Sequence, residues 1–151
     1  MIKWVKPGQL HDARKAGVKL AKLSGDSSVL IYIGSQKFSA DFIKGYLLRQ
    51  YSFSEYKTSK ITKSRSATLM LNKPLDFKKS LEEIKATVDG VFFTRDLVNE
   101  PANILTTVEF SKRLQKLSTL GIEVEVLEEK QLSELGMNAL LGVGQLSLIH
   151  I

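Results

Sequence analysis

Thr94-Arg95-Asp96-Leu97-Val98-Asn99-Glu100-Pro101-Ala102-Asn103 divides the chain into two patterns. Before it, Leu81, Ile84, Val88, Val91, Phe92 and Arg95 recur at helical spacing, which predicts a helix over 77–98. Pro101 forbids its continuation, because proline lacks the N–H that a helix needs. Asn99 and Asn103 flank the stop, and their side chains can hydrogen-bond backbone groups that a broken helix leaves unpaired. Arg95 and Asp96, at the helix end, fit a structural role by capping or ion pairing better than a catalytic one. Beyond the stop the pattern restarts. Thr106-x-x-Glu109 has the form of a reciprocal N-terminal cap. Phe110, Leu114, Leu117 and Leu120 follow at helical spacing, and Gly121 suits the left-handed position after a helix.

Working toward the N-terminus, Ala67–Leu71 reads as a buried strand closed by Asn72-Lys73-Pro74. Residues 52–66 are polar and basic, hence loop or sheet margin. A helix is expected over 40–51, with Ser39 as its N-cap, Asp41 in its first turn, and Phe42, Ile43, Tyr46, Leu47 and Tyr51 on one face. Val29-Leu30-Ile31-Tyr32-Ile33 is a short apolar run, read as a strand buried on both faces. A loosely amphipathic helix covers 10–22 and ends at Ser24-Gly25-Asp26. Toward the C-terminus, Ile122–Leu127 alternates with period two and predicts a strand with one wet face. A short helix follows around 129–135, ending at Gly136, and Gly142-Val143-Gly144 is read as a turn opening a tight loop. Helices alternating with short apolar strands predict an α/β fold, a mostly parallel sheet flanked by helices, followed by an incomplete second α/β unit.

The chain of 151 residues has room for one full core, or for a small domain plus part of a second. It has no cysteine, which excludes disulfides, thiolate metal sites and thiol nucleophiles. No apolar run approaches the roughly 18 residues needed to cross a bilayer, and Met1-Ile2-Lys3-Trp4-Val5-Lys6-Pro7 does not read as a signal peptide. The net charge of +6 is uneven. Residues 1–75 carry 14 Lys+Arg against 4 Asp+Glu, a net of +10, and residues 76–151 carry 8 against 12, a net of −4. A basic half can draw phosphates or an acidic partner, though such charge is most often a solvated face.

Three blocks carry a resemblance: Gly45–Thr58 with its Tyr56-Lys57-Thr58 exit, the junction 94–103, and Val124–Gln145 with Leu135-Gly136-Met137 leading to Gly142-x-Gly144. Together they resemble the leucyl aminopeptidase (cytosol aminopeptidase) family of metallopeptidases. The resemblance implies part of the N-terminal α/β domain over 1–92, an interdomain helix end and linker over 93–103, and the first, incomplete unit of the catalytic domain over 104–145. Thr107 stands where the family usually has proline, and either residue can open a helix. Leu146-Ser147-Leu148-Ile149-His150-Ile151 departs from the family pattern and is expected to be a non-native tail. Met1 is expected to be an internal start. For the intact family member the resemblance implies a cytoplasmic enzyme, a homohexamer, that removes N-terminal residues from peptides. Two divalent ions, zinc or manganese, would clamp the substrate and activate a bridging water.

The family's ligand segment, Asn-Thr-Asp-Ala-Glu-Gly-Arg, does not occur here. No catalytic, metal or cofactor-binding residue can therefore be carried over. The chain alone is expected to bind no metal and to be inactive, its site residues being the structural junction Arg95, Asp96, Asn99, Pro101 and Asn103. Other chemistry is thinly represented. Glu123 and Glu125 could share a strand face toward a cation, but no third ligand is evident and they read as solvent-facing. His11 reads as a surface histidine, and Gly142-x-Gly144 lacks the third glycine of a dinucleotide fingerprint. The alternative function is a protein- or nucleic-acid-binding module using the basic N-terminal half. There Tyr51, Phe53 and Tyr56 among the cations of 49–65 would stack on a single strand, or else anchor the helix exit.

Overall fold

The structure, a computed structural model, describes residues 10–34, 38–58 and 66–149. The chain divides into two units, Met1–Asp96 and Leu97–Ile151.

In the first unit, helix α1 (Leu10–Ser24) leads to strand β1 (Val29–Ile33), helix α2 (Ser39–Leu48), strand β2 (Ala67–Leu71) and helix α3, which runs Pro74–Asn99 and carries the chain out of the unit. The two strands pair in parallel, in register from Val29 opposite Ala67 to Ile33 opposite Leu71. A parallel pair needs a crossover, and α2 lies within it. Ile43, Phe77, Ile84 and Val88 form one buried cluster, against which Ile33, Leu69 and Leu71 pack. Ala21, Ile31 and Tyr46 form a second, bringing α1 onto the sheet. Each large side chain so buried contributes roughly 1.5–3 kcal/mol.

All three helices therefore cover the sheet face that carries Ile31, Ile33, Leu69 and Leu71. This corrects the expectation of a strand buried on both faces. Leu30 is 65% and Tyr32 61% exposed, and Met70 on β2 is exposed beside them. In an all-apolar run there is no alternation from which to read a second, open face.

Helices α1 and α2 approach through glycines. A Cβ on Gly45 would lie 2.1 Å from the Arg14 carbonyl oxygen, and one on Gly17 would lie 2.0 Å from that of Phe42. An ion pair from Arg14 to Asp41 spans the same two helices at their surface. Ser39 is not the N-cap of α2. Phe38 holds that position, and Ser39 is the first helical residue, fully buried. Helix α2 also ends at Leu48, before Tyr51. Pro74 opens α3, where its missing N–H is no loss.

In the second unit, α4 (Thr107–Gln115) runs into a 3-10 segment, Lys116–Leu120, closed by Gly121 at φ 81°. Helices α5 (Glu129–Glu134) and α6 (Asn138–Ile149) follow. The Thr106 hydroxyl accepts from the Glu109 N–H at 3.2 Å, which is half of the expected reciprocal cap. The other half is absent, because the Glu109 carboxylate takes Arg113 instead. A reciprocal cap forms one helix later, between Glu128 and Gln131.

Two further expectations are corrected here. Residues 122–128 form no strand, because among the described residues no neighbouring strand pairs with them. Gly142 and Gly144 lie inside α6 and open no loop. Neither has positive φ, and a helix tolerates each glycine at about 1 kcal/mol relative to alanine. The expected tail is helical through Ile149, and His150 lies outside the described residues. None of residues 97–145 is buried, and Val108, Leu120, Leu135, Leu140 and Val143 are exposed.

Candidate functional site

The junction residues are tied down at both ends of the segment by different means. In the first unit, the last turns of α3 hold the exit from α2. Tyr51, just past that helix, sets its ring against Phe92 at 5.2 Å between centroids, tilted by 54°. Its hydroxyl donates to Asp96 Oδ1 at 2.8 Å. The Arg95 guanidinium lies over the same ring at 5.3 Å and donates through Nη1 to the Leu48 carbonyl at 3.3 Å. Leu48 is the last residue of α2, so its carbonyl is among those that a helix leaves unpaired, and a cation there also suits the helix dipole. Arg95 and Asp96 thus act together on Tyr51, one through the ring face and one through the hydroxyl.

In the second unit, Asn99 ends α3 and is exposed, as are Pro101 and Asn103. The turn after the helix is closed by the Pro101 carbonyl, which accepts from the N–H groups of Ile104 at 2.9 Å and Leu105 at 3.0 Å. Glu100, which no sequence pattern singles out, has a side chain only 6% exposed. Arg113 reaches it from α4 through Nη1 at 2.7 Å and holds Glu109 through Nε at 3.0 Å. The hydrogen bond to Glu100 first, then that to Glu109, raises the Arg113 pKa and fixes its charge. The Glu109/Arg113 half of this triad has the helical four-residue spacing and could have been read. The Glu100 half could not, because no pattern links residues thirteen apart across a turn.

Of the other candidates, His11, Glu82, Glu83, Glu123 and Glu125 are exposed. Phe53 and Tyr56 pack on each other at 5.8 Å, and the basic residues at 60, 63 and 65 lie outside the described residues. Among the described residues no group of three His, Asp or Glu side chains converges. The described donors therefore do not gather as a two-cation centre requires, with several carboxylates around two metal ions. No described helix is long and apolar enough to cross a membrane.

Tyr51 and Arg95 also border a cavity. It measures about 420 Å³ and is lined by Arg14, Arg49 and Arg95, with Val18, Leu48 and Tyr51.

Comparison with known proteins gives consistent relationships. Residues 92–150 match the model of the cytosol aminopeptidase family, catalytic domain. A protein of Dinoroseobacter shibae named "Probable cytosol aminopeptidase" is 41% identical over 145 residues, covering 96% of this chain and 30% of the relative. One of the same name from Rhizobium etli is 43% identical over 155 residues, covering 93% of this chain and 31% of the relative. The chain thus spans about 30% of the length of these relatives. Among solved structures, the bottromycin maturation enzyme BotP superimposes with a TM-score of 0.70 at 22% identity, over 85% of this chain and 29% of that one. The same enzyme in complex with Mn gives 0.67 at 25% identity, with the same coverage.

Proposed function

We propose, from the premise that this chain belongs to the cytosol aminopeptidase family, that it is the non-catalytic leading part of a metal-dependent aminopeptidase. In this reading residues 1–92 belong to the N-terminal α/β domain, 93–103 form the linker, and the residues from 104 on open the catalytic domain. The observation that carries it is the unbroken relationship to probable cytosol aminopeptidases on both sides of the junction, over 96% of the chain.

The whole enzyme would remove N-terminal residues from peptides in the cytoplasm, as a homo-oligomer, with two zinc or manganese ions supplying the activated water and the charge that stabilises the transition state. What these residues contribute is mechanical. The Tyr51–Arg95–Asp96 anchor fixes the end of α3 in the first unit, and the Glu100–Arg113 pair fixes the start of the second. With no donor cluster among the described residues, the chain by itself would hold no catalytic metal. The nucleic-acid alternative loses its main support at Tyr51, whose ring is already engaged by Phe92 and Arg95.

The test is release of leucine from leucine p-nitroanilide with added Mn²⁺. The purified 151-residue chain is expected to give no turnover above buffer, and a polypeptide extended through the family's ligand segment is expected to turn over. Turnover by the chain alone, or an inert extended protein, would contradict the reading.

A further inference from the structure

Three arginines from three different elements face one concavity. Arg14 comes from α1, Arg49 from the residue that caps α2, and Arg95 from α3. The cavity measures about 420 Å³, within the size range of small-molecule sites, and none of the residues lining it is acidic. Its remaining wall is apolar and aromatic, from Val18, Leu48 and Tyr51.

Of the three guanidiniums, that of Arg49 is left over by the contacts among the described residues. Arg14 pairs with Asp41 at the surface. Arg95 serves the Leu48 carbonyl and the Tyr51 ring. A helix C-terminus carries about half an elementary charge, so one guanidinium suffices for the end of α2. Arg49 is exposed and has no ion pair or side-chain hydrogen bond among the described residues.

We propose that this cleft binds a small phosphate-class dianion, inorganic phosphate or a phosphate monoester. Guanidinium forks match the oxygens of a phosphate in pairs, and a tetrahedral dianion can offer oxygens to three forks at once, which a single carboxylate cannot. Leu48 and Val18 would meet the ester group if there is one. A nucleic-acid strand fits less well, because stacking needs a free aromatic ring and that of Tyr51 already meets Phe92 and Arg95.

The experiment is an NMR titration of the full chain, following the Nε–Hε signals of Arg14, Arg49 and Arg95, with NaCl holding ionic strength constant. Inorganic phosphate and phenyl phosphate are titrated separately, and a thymidine oligonucleotide forms a third arm. Saturable shifts of all three arginine signals, with a Kd in the millimolar range or tighter, are expected for one or both small anions. Tighter binding of phenyl phosphate identifies an ester as the ligand, and equal binding identifies free phosphate. Arg49→Gln is expected to weaken binding at least about tenfold, the loss of one charge-assisted contact. Arg14→Gln should act in the same direction, and Arg49→Lys should recover part of the affinity. The proposal is overturned by linear, unsaturated shifts, by unchanged affinity in both folded glutamine variants, or by an oligonucleotide that moves these signals when neither small anion does.

Discussion

Gly45→Ala sets two opposing effects against each other inside one helix. Alanine is favoured over glycine in a helix interior by about 1 kcal/mol, so propensity alone predicts stabilisation. Packing predicts the reverse. The new methyl would sit 2.1 Å from the Arg14 carbonyl oxygen and 2.9 Å from its carbonyl carbon, where ordinary contact needs well over 3 Å. Both atoms are backbone of α1, so no rotamer change relieves the clash, and the two helices must part by more than an ångström. Overpacking costs about 1–3 kcal/mol where side chains can adjust. With rigid backbone opposite, the upper end applies, and the net effect is a loss of about 2 kcal/mol. Urea unfolding followed by circular dichroism, with amide exchange of α1 and α2 to localise the change, measures it. Gly90→Ala is the control: nothing lies within 4 Å of its Cβ position, so only propensity acts there, and a gain of up to about 1 kcal/mol is expected. Gly45→Ala stability equal to or above that of the unaltered chain, alongside a gain at Gly90, would refute the packing argument.

Tyr51→Phe keeps the contact with Phe92 and removes the hydrogen bond to Asp96, so a loss of about 1 kcal/mol is expected in urea unfolding. Thr106→Ala removes the acceptor for the Glu109 N–H and should destabilise α4 by about 1 kcal/mol, read as faster amide exchange over its first turn. Arg113→Gln removes the guanidinium that Glu100 and Glu109 share. That variant should lower the urea midpoint of the second unit, because an enclosed carboxylate loses a charge-assisted hydrogen bond.

The sequence exposed the helices most clearly where stop signals and periodicity agreed. The end of α3 before Pro101 and the left-handed Gly121 are such places, each a local matter of backbone chemistry. The parallel α/β arrangement also followed from the order of elements. What escaped was anything set by partners distant in sequence. Val29–Ile33 is apolar throughout, so nothing in it told which face would be covered. Ile122–Leu127 alternates as a strand should, yet alternation cannot supply the neighbour a strand must pair with. Gly17 and Gly45 read only as weak helix formers until the two backbones were seen to meet at them. At the junction, the shared contact of Arg95 and Asp96 with Tyr51 was not legible, since Tyr51 lies 45 residues from Asp96. Glu100 was missed for the same reason.

The proposed reading makes this chain the leading part of an aminopeptidase, with the metal donors outside its described residues. Titration of the 151-residue chain with Mn²⁺, followed by calorimetry and by paramagnetic broadening of carboxylate-bearing residues, tests it most directly. The account predicts only weak, diffuse broadening at exposed carboxylates such as Glu82, Glu83, Glu123 and Glu125. Saturable binding approaching two ions per chain, with broadening focused on one cluster, would contradict it.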